Sequence, residues 1–167
     1  HSNGFSLVRK IVEGHGLDYD APAPFAAHTA LGDALLAPTR VYVKPCLAAH
    51  GEGLVKALAH ITGGGLIENI PRVLPDDMAV EIDAGAWTAP PVFAWLASAS
   101  GVDSHEMART FNCGLGMVAV VSPDDAAAAT AKFEDNGETV YTVGTVTRRS
   151  DGAPAVNLTG AGVAWPR

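Results

Sequence analysis

Hydrophobic positions follow a helical period near the start of the chain. Leu7, Val8, Ile11 and Val12 recur at intervals that place their side chains on one face of a helix. The polar residues between them would then face solvent. The pattern predicts an amphipathic helix over about 2–13, which the glycines that follow would end.

Further along, helical segments alternate irregularly with short apolar or alternating segments. Apolar and acidic residues alternate over 78–83, and an unbroken apolar run covers 116–121, so both are predicted strands. Strands are also predicted over 39–43, 55–61, 138–148 and 155–159, and 15–29 is predicted to be a loop. Helices are predicted over 30–37, 45–50, 66–70, 90–98, 104–111 with Ser104 as its cap, and 123–135 after Ser122.

Helices and strands that mix without strict βαβ alternation indicate an α+β domain. We expect a mixed β-sheet flanked by helices. The chain has 167 residues, of which 48% are hydrophobic and 17% charged, so it can bury a folded core. No internal repeat or interdomain linker is visible, and a single domain over 1–167 is predicted.

Composition also narrows the class of partner. A net charge of -7 argues against a general nucleic-acid-binding surface. The longest apolar run, 117–121, is far too short to span a bilayer, and no signal peptide opens the chain. Two cysteines without a CxxC pair indicate reduced thiols in a cytoplasmic protein. A phosphate site would need local basic residues, and the candidates are Arg9, Lys10, Arg40, Lys44 and Arg72.

The segment from His60 to Pro75, HITGGGLIENIPRVLP, is the most distinctive stretch of the chain. Glycines before a helix leave backbone N–H groups free to approach an anion, and nearby Asn and Arg side chains add hydrogen bonds and positive charge. The triplet is equally well explained as a tight turn made for packing, with Glu68 a solvated helix residue and Arg72 a surface charge. A dinucleotide-binding fingerprint is not supported, because the third glycine is missing after Gly63-x-Gly65.

Other candidate residues carry two interpretations each. Asn3 and Gly4 suit an ordinary helix start with Ser2 or Asn3 as the cap, or a helix N-terminus that faces a phosphate. Asn112 suits either a ligand contact or a turn. His1 has the chemistry of an acid or base near neutral pH.

Some reactive residue types are better explained by structure than by chemistry. Cys113 has no base or cation near it in the sequence, so it is not proposed as a nucleophile. Arg109 is interpreted as an ion-pair partner, and His60 as part of a strand core or its edge. The tryptophans are interpreted as core or interface anchors.

Four blocks of the chain, taken together, resemble one family. They are HSNGFSLVRK (1–10), LLAPTRVYVK (35–44), the segment 60–75, and EMARTFNCGLGMV (106–118). The chain is similar to aminoimidazole ribonucleotide synthetase, the phosphoribosylformylglycinamidine cyclo-ligase of purine synthesis, and the blocks stand in that family's order. The resemblance covers only the C-terminal half of that enzyme. Because the chain begins at His1 without an initiator Met, we interpret it as an excised or truncated domain that is inactive alone.

The resemblance implies ATP- and Mg²⁺-dependent conversion of formylglycinamidine ribonucleotide to aminoimidazole ribonucleotide. In that family ATP phosphorylates the formyl oxygen. An amidine nitrogen then attacks the formyl carbon, and phosphate leaves as the ring closes. It implies that the absent N-terminal half holds most ATP contacts and the acidic Mg²⁺ ligands, and that the full-length enzyme is a cytoplasmic homodimer. No catalytic residue is assigned. The implied substrate- or phosphate-binding set is Ser2, Asn3, Gly4, Thr62, Gly63, Gly64, Gly65, Glu68, Asn69, Arg72 and Asn112.

Two alternatives stay open. The first is another ATP-dependent enzyme of the superfamily, namely formylglycinamidine ribonucleotide synthetase, selenophosphate synthetase, thiamine monophosphate kinase or a hydrogenase maturation protein. The second is a non-catalytic binding module that keeps the fold. A glycine-rich, acidic N-terminal half in the gene would favour the enzyme, and its absence would favour the module.

Overall fold

Short helices are distributed along the whole chain in the computed structural model, which describes residues 3–165. The predictions for His1 and Ser2 therefore lie outside the described residues. Within residues 3–165, no helix combines the length and apolar character needed to cross a bilayer. The helices are α1 (Phe5–Gly14), α2 (Leu31–Leu35), α3 (Val43–Gly51), α4 (Gly65–Asn69), α5 (Pro91–Ser100), α6 (Ser104–Thr110), α7 (Ala126–Asp135) and α8 (Ala161–Ala164).

The strands between these helices pair in separate small sheets. A three-stranded sheet has β4 at its centre, antiparallel to β6 and parallel to β7. β3 pairs antiparallel with β5, and β1 forms a hairpin with β2. The α+β class and the mixed sheet are thereby confirmed. The strands are β1 (Pro22–Ala23), β2 (Ala26–Ala30), β3 (Ala57–His60), β4 (Met78–Asp83), β5 (Met117–Val120), β6 (Gly144–Arg148) and β7 (Val156–Thr159).

The predicted amphipathic face of α1 is the face that enters the core. Val8, Ile11 and Val12 are buried, as their helical spacing requires. They join one cluster of buried side chains that also contains Ile82 of β4 and Met107 of α6. Complete burial of each such aliphatic side chain contributes about 1.5–3 kcal/mol, so α1 is fixed to the rest of the molecule mainly by this face.

The predicted strand over 39–43 is wrong. Residues 38–42 form neither helix nor strand, and α3 begins at Val43. Val41 and Val43 are 77% and 62% exposed, so the β-branched residues found no neighbouring strand. Strand propensity expresses packing on a sheet, and without such packing it does not decide the conformation.

The structure also differs from two other predictions, one of a strand and one of a loop. The long strand predicted over 138–148 is restricted to β6, because the antiparallel pairing with β4 extends only from Met78↔Arg148 to Ile82↔Gly144. The predicted loop over 15–29 contains the β1–β2 hairpin, which is too short for a hydrophobic period to reveal.

The N-terminal caps also differ from prediction. Asp103, and not Ser104, caps α6, because its carboxylate accepts a hydrogen bond from the Glu106 N–H at 2.8 Å. Ser122 precedes a 3₁₀ turn, Pro123–Asp125, and its hydroxyl bonds the Asp125 carboxylate and not a backbone N–H. α7 then ends before Asn136-Gly137, as predicted.

Candidate functional site

Three segments that are far apart in sequence meet beside the end of β3. These are the start of α1, the turn of residues 62–65 that links β3 to α4, and the end of α6. A Cβ placed on Gly4 would lie 2.3 Å from the Phe111 ring. A Cβ placed on Gly65 would lie 2.7 Å from the Phe111 carbonyl oxygen. Phe111 is 3% exposed, so it is the buried contact that holds the three segments together.

The turn of residues 62–65, called the glycine turn from here on, owes its shape to two of its glycines. Gly64 and Gly65 have φ values of 96° and 55°, a backbone region that residues with a Cβ rarely adopt. A Cβ on Gly65 would also lie 2.0 Å from the Ala108 carbonyl oxygen, so the turn packs directly on the α6 backbone. For these two residues the packing explanation holds.

Gly63 differs from its neighbours. It is exposed, its φ is not positive, and the nearest atom to a Cβ placed there is the Asn3 side-chain oxygen at 3.7 Å. Packing therefore does not require glycine at this position. The Asn3 side chain is therefore a neighbour of Gly63.

Asn69 holds the glycine turn from inside. Its side-chain NH₂ donates to the carbonyl oxygens of Thr62, Gly63 and Gly65, at 3.3, 3.1 and 2.8 Å. Its oxygen accepts from the Thr62 hydroxyl at 3.4 Å and from Arg72 Nη1 at 3.2 Å. Asn69 is only 5% exposed, so these bonds replace its contacts with water.

The backbone N–H groups of the glycine turn differ in whether they form a hydrogen bond within the protein. The Gly65 N–H bonds the Thr62 carbonyl at 2.9 Å. Among residues 3–165, no hydrogen-bond partner is found for the N–H groups of Gly63 and Gly64. Free N–H groups beside glycines can approach an anion closely, so the turn has the donors that a phosphate would use.

Charged side chains surround the turn on its α4 and α6 sides. Glu68 accepts from Arg109 Nε at 3.0 Å and lies 3.8 Å from Arg72 Nη2. This hydrogen bond, with the charge of Glu68, raises the pKa of Arg109, which is the ion-pair role predicted for it. All three side chains are at least 41% exposed, so they stay accessible to a charged ligand.

The segment after α6 forms a second turn against the same helix. Asn112 is buried, and its side-chain oxygen accepts the Gly114 N–H at 3.0 Å. Cys113 has a φ of 49°, and its carbonyl accepts the Trp87 indole N–H at 2.9 Å. Burial raises the pKa of the Cys113 thiol far above its ordinary value, so the thiol stays neutral and is a poor nucleophile.

The other basic candidates lie elsewhere. Arg40 bonds Glu138 at 3.1 Å and the Gly137 carbonyl at 2.7 Å, near the end of α7. Arg9 and Lys10 lie on the exposed side of α1. Of the predicted basic residues, Arg72 is the one that lies beside the glycine turn, where it donates to Asn69 and pairs with Glu68 of α4.

Sequence reasoning did not identify Phe111 as the junction of the site or Arg109 as the partner of Glu68. The signal for both was the resemblance block over 106–118, which contains them. Nothing in residue type or spacing indicated that this block would lie against the glycine turn.

Of the four residues of the glycine turn, Gly63 is exposed, Thr62 and Gly64 are half-buried, and Gly65 is buried. Two crevices, of about 250 and 290 Å³, are lined by residues of α1 with α5 and of α1 with α2, and neither includes the turn. Among the described side chains, no group of three His, Cys, Asp or Glu residues is placed to hold a metal ion.

Comparison with known families finds one family model that covers most of the chain. The family model described as AIR synthase related protein, C-terminal domain, matches residues 1–157. The match includes all four sequence blocks and every segment that meets at the glycine turn.

Proposed function

Since this chain belongs to the AIR synthase related family, as the C-terminal domain that the matching model describes, we propose that it forms one wall of a cyclo-ligase active site. The reaction is the ATP-dependent closure of formylglycinamidine ribonucleotide to aminoimidazole ribonucleotide. The observation that carries the proposal is the meeting of three of the four sequence blocks at the glycine turn, where the N–H groups of Gly63 and Gly64 have no hydrogen-bond partner among the described residues.

The proposed roles follow from exposure and bonding. The N–H groups of Gly63 and Gly64 contact a phosphate of the ligand, since neither has a hydrogen-bond partner among the described residues and Gly63 is exposed. Arg72 and Arg109 supply positive charge beside it. Asn3 borders Gly63 and orients the substrate, whereas Glu68 sets the positions of the two arginines.

Phosphoryl transfer depends mainly on positioning and on charge stabilisation, so a shared site needs both walls. The exposure of Gly63 is compatible with a second wall from an N-terminal half, which on this proposal supplies most ATP contacts. The described side chains do not fit a Mg²⁺ cage, so the acidic ligands for the metal are assigned to that half as well. We further propose that the complete protein is a cytoplasmic homodimer.

Turnover by the joined halves tests the proposal. Formation of aminoimidazole ribonucleotide from formylglycinamidine ribonucleotide and ATP would be measured for this chain alone and for this chain joined to its native N-terminal half. We expect turnover only in the joined protein, because on this proposal the N-terminal half supplies most ATP contacts and the metal ligands. A folded, ATP-binding joined protein without turnover would exclude the cyclo-ligase and leave a related ATP-dependent enzyme or a binding module.

An arginine pair provides a matched control for the phosphate site. Arg72→Ala in the joined protein is expected to raise the Michaelis constant of a phosphorylated substrate by roughly tenfold, the usual loss for a hydrogen bond to a charged group. Arg148 also forms an exposed ion pair, with Asp77 at 2.8 Å, but on β6. Arg148→Ala should leave the Michaelis constants of ATP and formylglycinamidine ribonucleotide unchanged. Equal effects of Arg72→Ala and Arg148→Ala would contradict a site at the glycine turn.

A further inference from the structure

We infer that Asn69 is the positioning residue of the glycine turn: its one side-chain amide turns the N–H groups of Gly63 and Gly64 outward, toward the phosphate of the ligand. This inference rests on the function proposed above. It assigns to Asn69 no contact with the ligand, because the side chain is almost entirely buried.

The first step is the convergence of carbonyl groups on a single donor. The Asn69 NH₂ lies within 3.3 Å of the carbonyl oxygens of Thr62, Gly63 and Gly65. Those carbonyls therefore point toward the interior, where Asn69 lies. Carbonyl groups near one another repel unless a donor lies between them, and the Asn69 amide is that donor.

The second step is the geometry of the peptide unit. In a planar trans peptide the C=O and the N–H of the next residue point in opposite directions, and no cis peptide occurs in the described chain. With the Thr62 carbonyl turned inward, the Gly63 N–H must point outward. With the Gly63 carbonyl turned inward, the Gly64 N–H must also point outward.

The third step is the orientation of the amide itself. The Asn69 oxygen accepts from the Thr62 hydroxyl and from Arg72 Nη1. The opposite orientation would place this oxygen against carbonyl oxygens that can only accept. Thr62 and Arg72 thus fix which end of the amide faces the turn, and Arg72 has this bracing role in addition to its charge.

The consequence is a site that is organised before the ligand arrives. Two N–H groups with a fixed direction form a pair of donors suited to a phosphate oxygen. Loss of Asn69 would leave the glycines in place but would free their peptide planes to rotate. The ligand would then have to order them, which weakens binding.

The test compares Asn69→Ala with a matched variant elsewhere. Asn136 also donates through its side-chain NH₂ to a backbone carbonyl, that of Lys132 at 2.8 Å, but at the end of α7. Both variants would be made in the joined protein for kinetics, and in this chain for amide NMR spectra. Asn69→Ser, whose hydroxyl can reach only part of the turn, replaces Asn69→Ala if the latter does not fold.

We expect Asn69→Ala to raise the Michaelis constant of one phosphorylated substrate by roughly ten- to hundredfold, with a smaller change in kcat. Whether ATP or the ribonucleotide is affected identifies which phosphate lies at the turn. The amide signals of Gly63 and Gly64 should move in Asn69→Ala and stay in place in Asn136→Ala.

The possible failures can be told apart. Absence of turnover in the wild-type joined protein would overturn the proposed function, and the role of Asn69 with it. Wild-type turnover with unchanged Michaelis constants in a folded Asn69→Ala protein would overturn only the role of Asn69. Unchanged Gly63 and Gly64 amide signals would overturn it as well.

Discussion

At the scale of single residues, the three glycines of the turn have different physical reasons to be glycine. Gly65 is fixed by contact with the α6 backbone and by its positive φ, and Gly64 by its positive φ and by the Glu68 side chain. Gly63 has neither constraint. The absence of a packing reason at Gly63 is what leaves room there for a ligand.

This difference gives a stability prediction. Gly65→Ala should lower the free energy of unfolding by about 2–4 kcal/mol, because the added methyl group meets the Ala108 carbonyl and the left-handed backbone is strained. Gly63→Ala should change it by less than about 0.5 kcal/mol. Urea unfolding of the two variants is the measurement, and similar losses in both would contradict the packing role of Gly65.

Cys113 gives a prediction for pH dependence. Its pKa is raised by burial in the folded protein, whereas in the unfolded chain the thiol ionises near pH 8.5. Above that pH the unfolded state binds fewer protons than the folded state, so the free energy of unfolding falls as the pH rises. The slope approaches about 1.4 kcal/mol per pH unit.

Urea unfolding between about pH 8 and pH 10 would measure this slope. In Cys113→Ala the contribution from the thiol should disappear and the decline should be shallower. Cys46→Ala is the control, since Cys46 is only half-buried and its pKa is raised less strongly, by burial first and then by Glu138. Equal slopes in wild type and Cys113→Ala would show that the thiol ionises normally.

At the scale of elements, α6 is the helix on which the site depends. It carries Arg109, supplies the Ala108 carbonyl under Gly65, and leads into Phe111. Its start is fixed by Asp103, whose carboxylate satisfies an otherwise free helix N–H. A change at this cap should therefore reach the glycine turn through packing.

The cap gives a stability prediction that distinguishes Asp103 from its neighbour Ser104. Asp103→Ala should lower the free energy of unfolding by about 1 kcal/mol, because the first turn of α6 loses its side-chain acceptor. Ser104→Ala should cost less than about 0.5 kcal/mol, since Ser104 lies inside the helix. Chemical denaturation of both variants is decisive, and a larger loss for Ser104→Ala would reverse the assignment.

At the scale of the whole molecule, one buried cluster connects elements from both ends of the described chain. Val8 of α1, Ile82 of β4 and Trp165 after α8 belong to it. The ring centroids of Trp87 and Trp165 lie 5.9 Å apart. The Trp87 indole N–H donates to the Cys113 carbonyl, in the turn after α6. A continuous core of this kind predicts that the described residues unfold as one unit.

Unfolding followed by two probes tests that prediction. Far-UV circular dichroism reports the helices, and tryptophan fluorescence reports the core around Trp87 and Trp165. We expect the two transitions to coincide in urea, with one midpoint. Separate midpoints would show that part of the chain unfolds independently and would contradict a single cooperative domain.

The elements that could be predicted are those with a strong local signal. The face of α1, the alternation of β4 and the stop of α7 at Asn136-Gly137 were each present in a few consecutive residues. The failures at 39–43 and 138–148 concern strands, whose existence depends on a partner elsewhere in the chain. For the site, residue type and spacing gave the glycine turn but not the contacts that Glu68 and Asn69 make.

The sequence by itself determined the helices with a clear period, the α+β class and, through its four blocks, the family. These properties are local or are carried by residue identity, so they can be read in order along the chain. Only the tertiary structure decided which glycine is needed for packing, that Asn69 faces inward, and that Phe111 joins the start of α1 to the glycine turn. Those facts depend on the distance between atoms contributed by distant segments, and that distance exists only after the chain has folded.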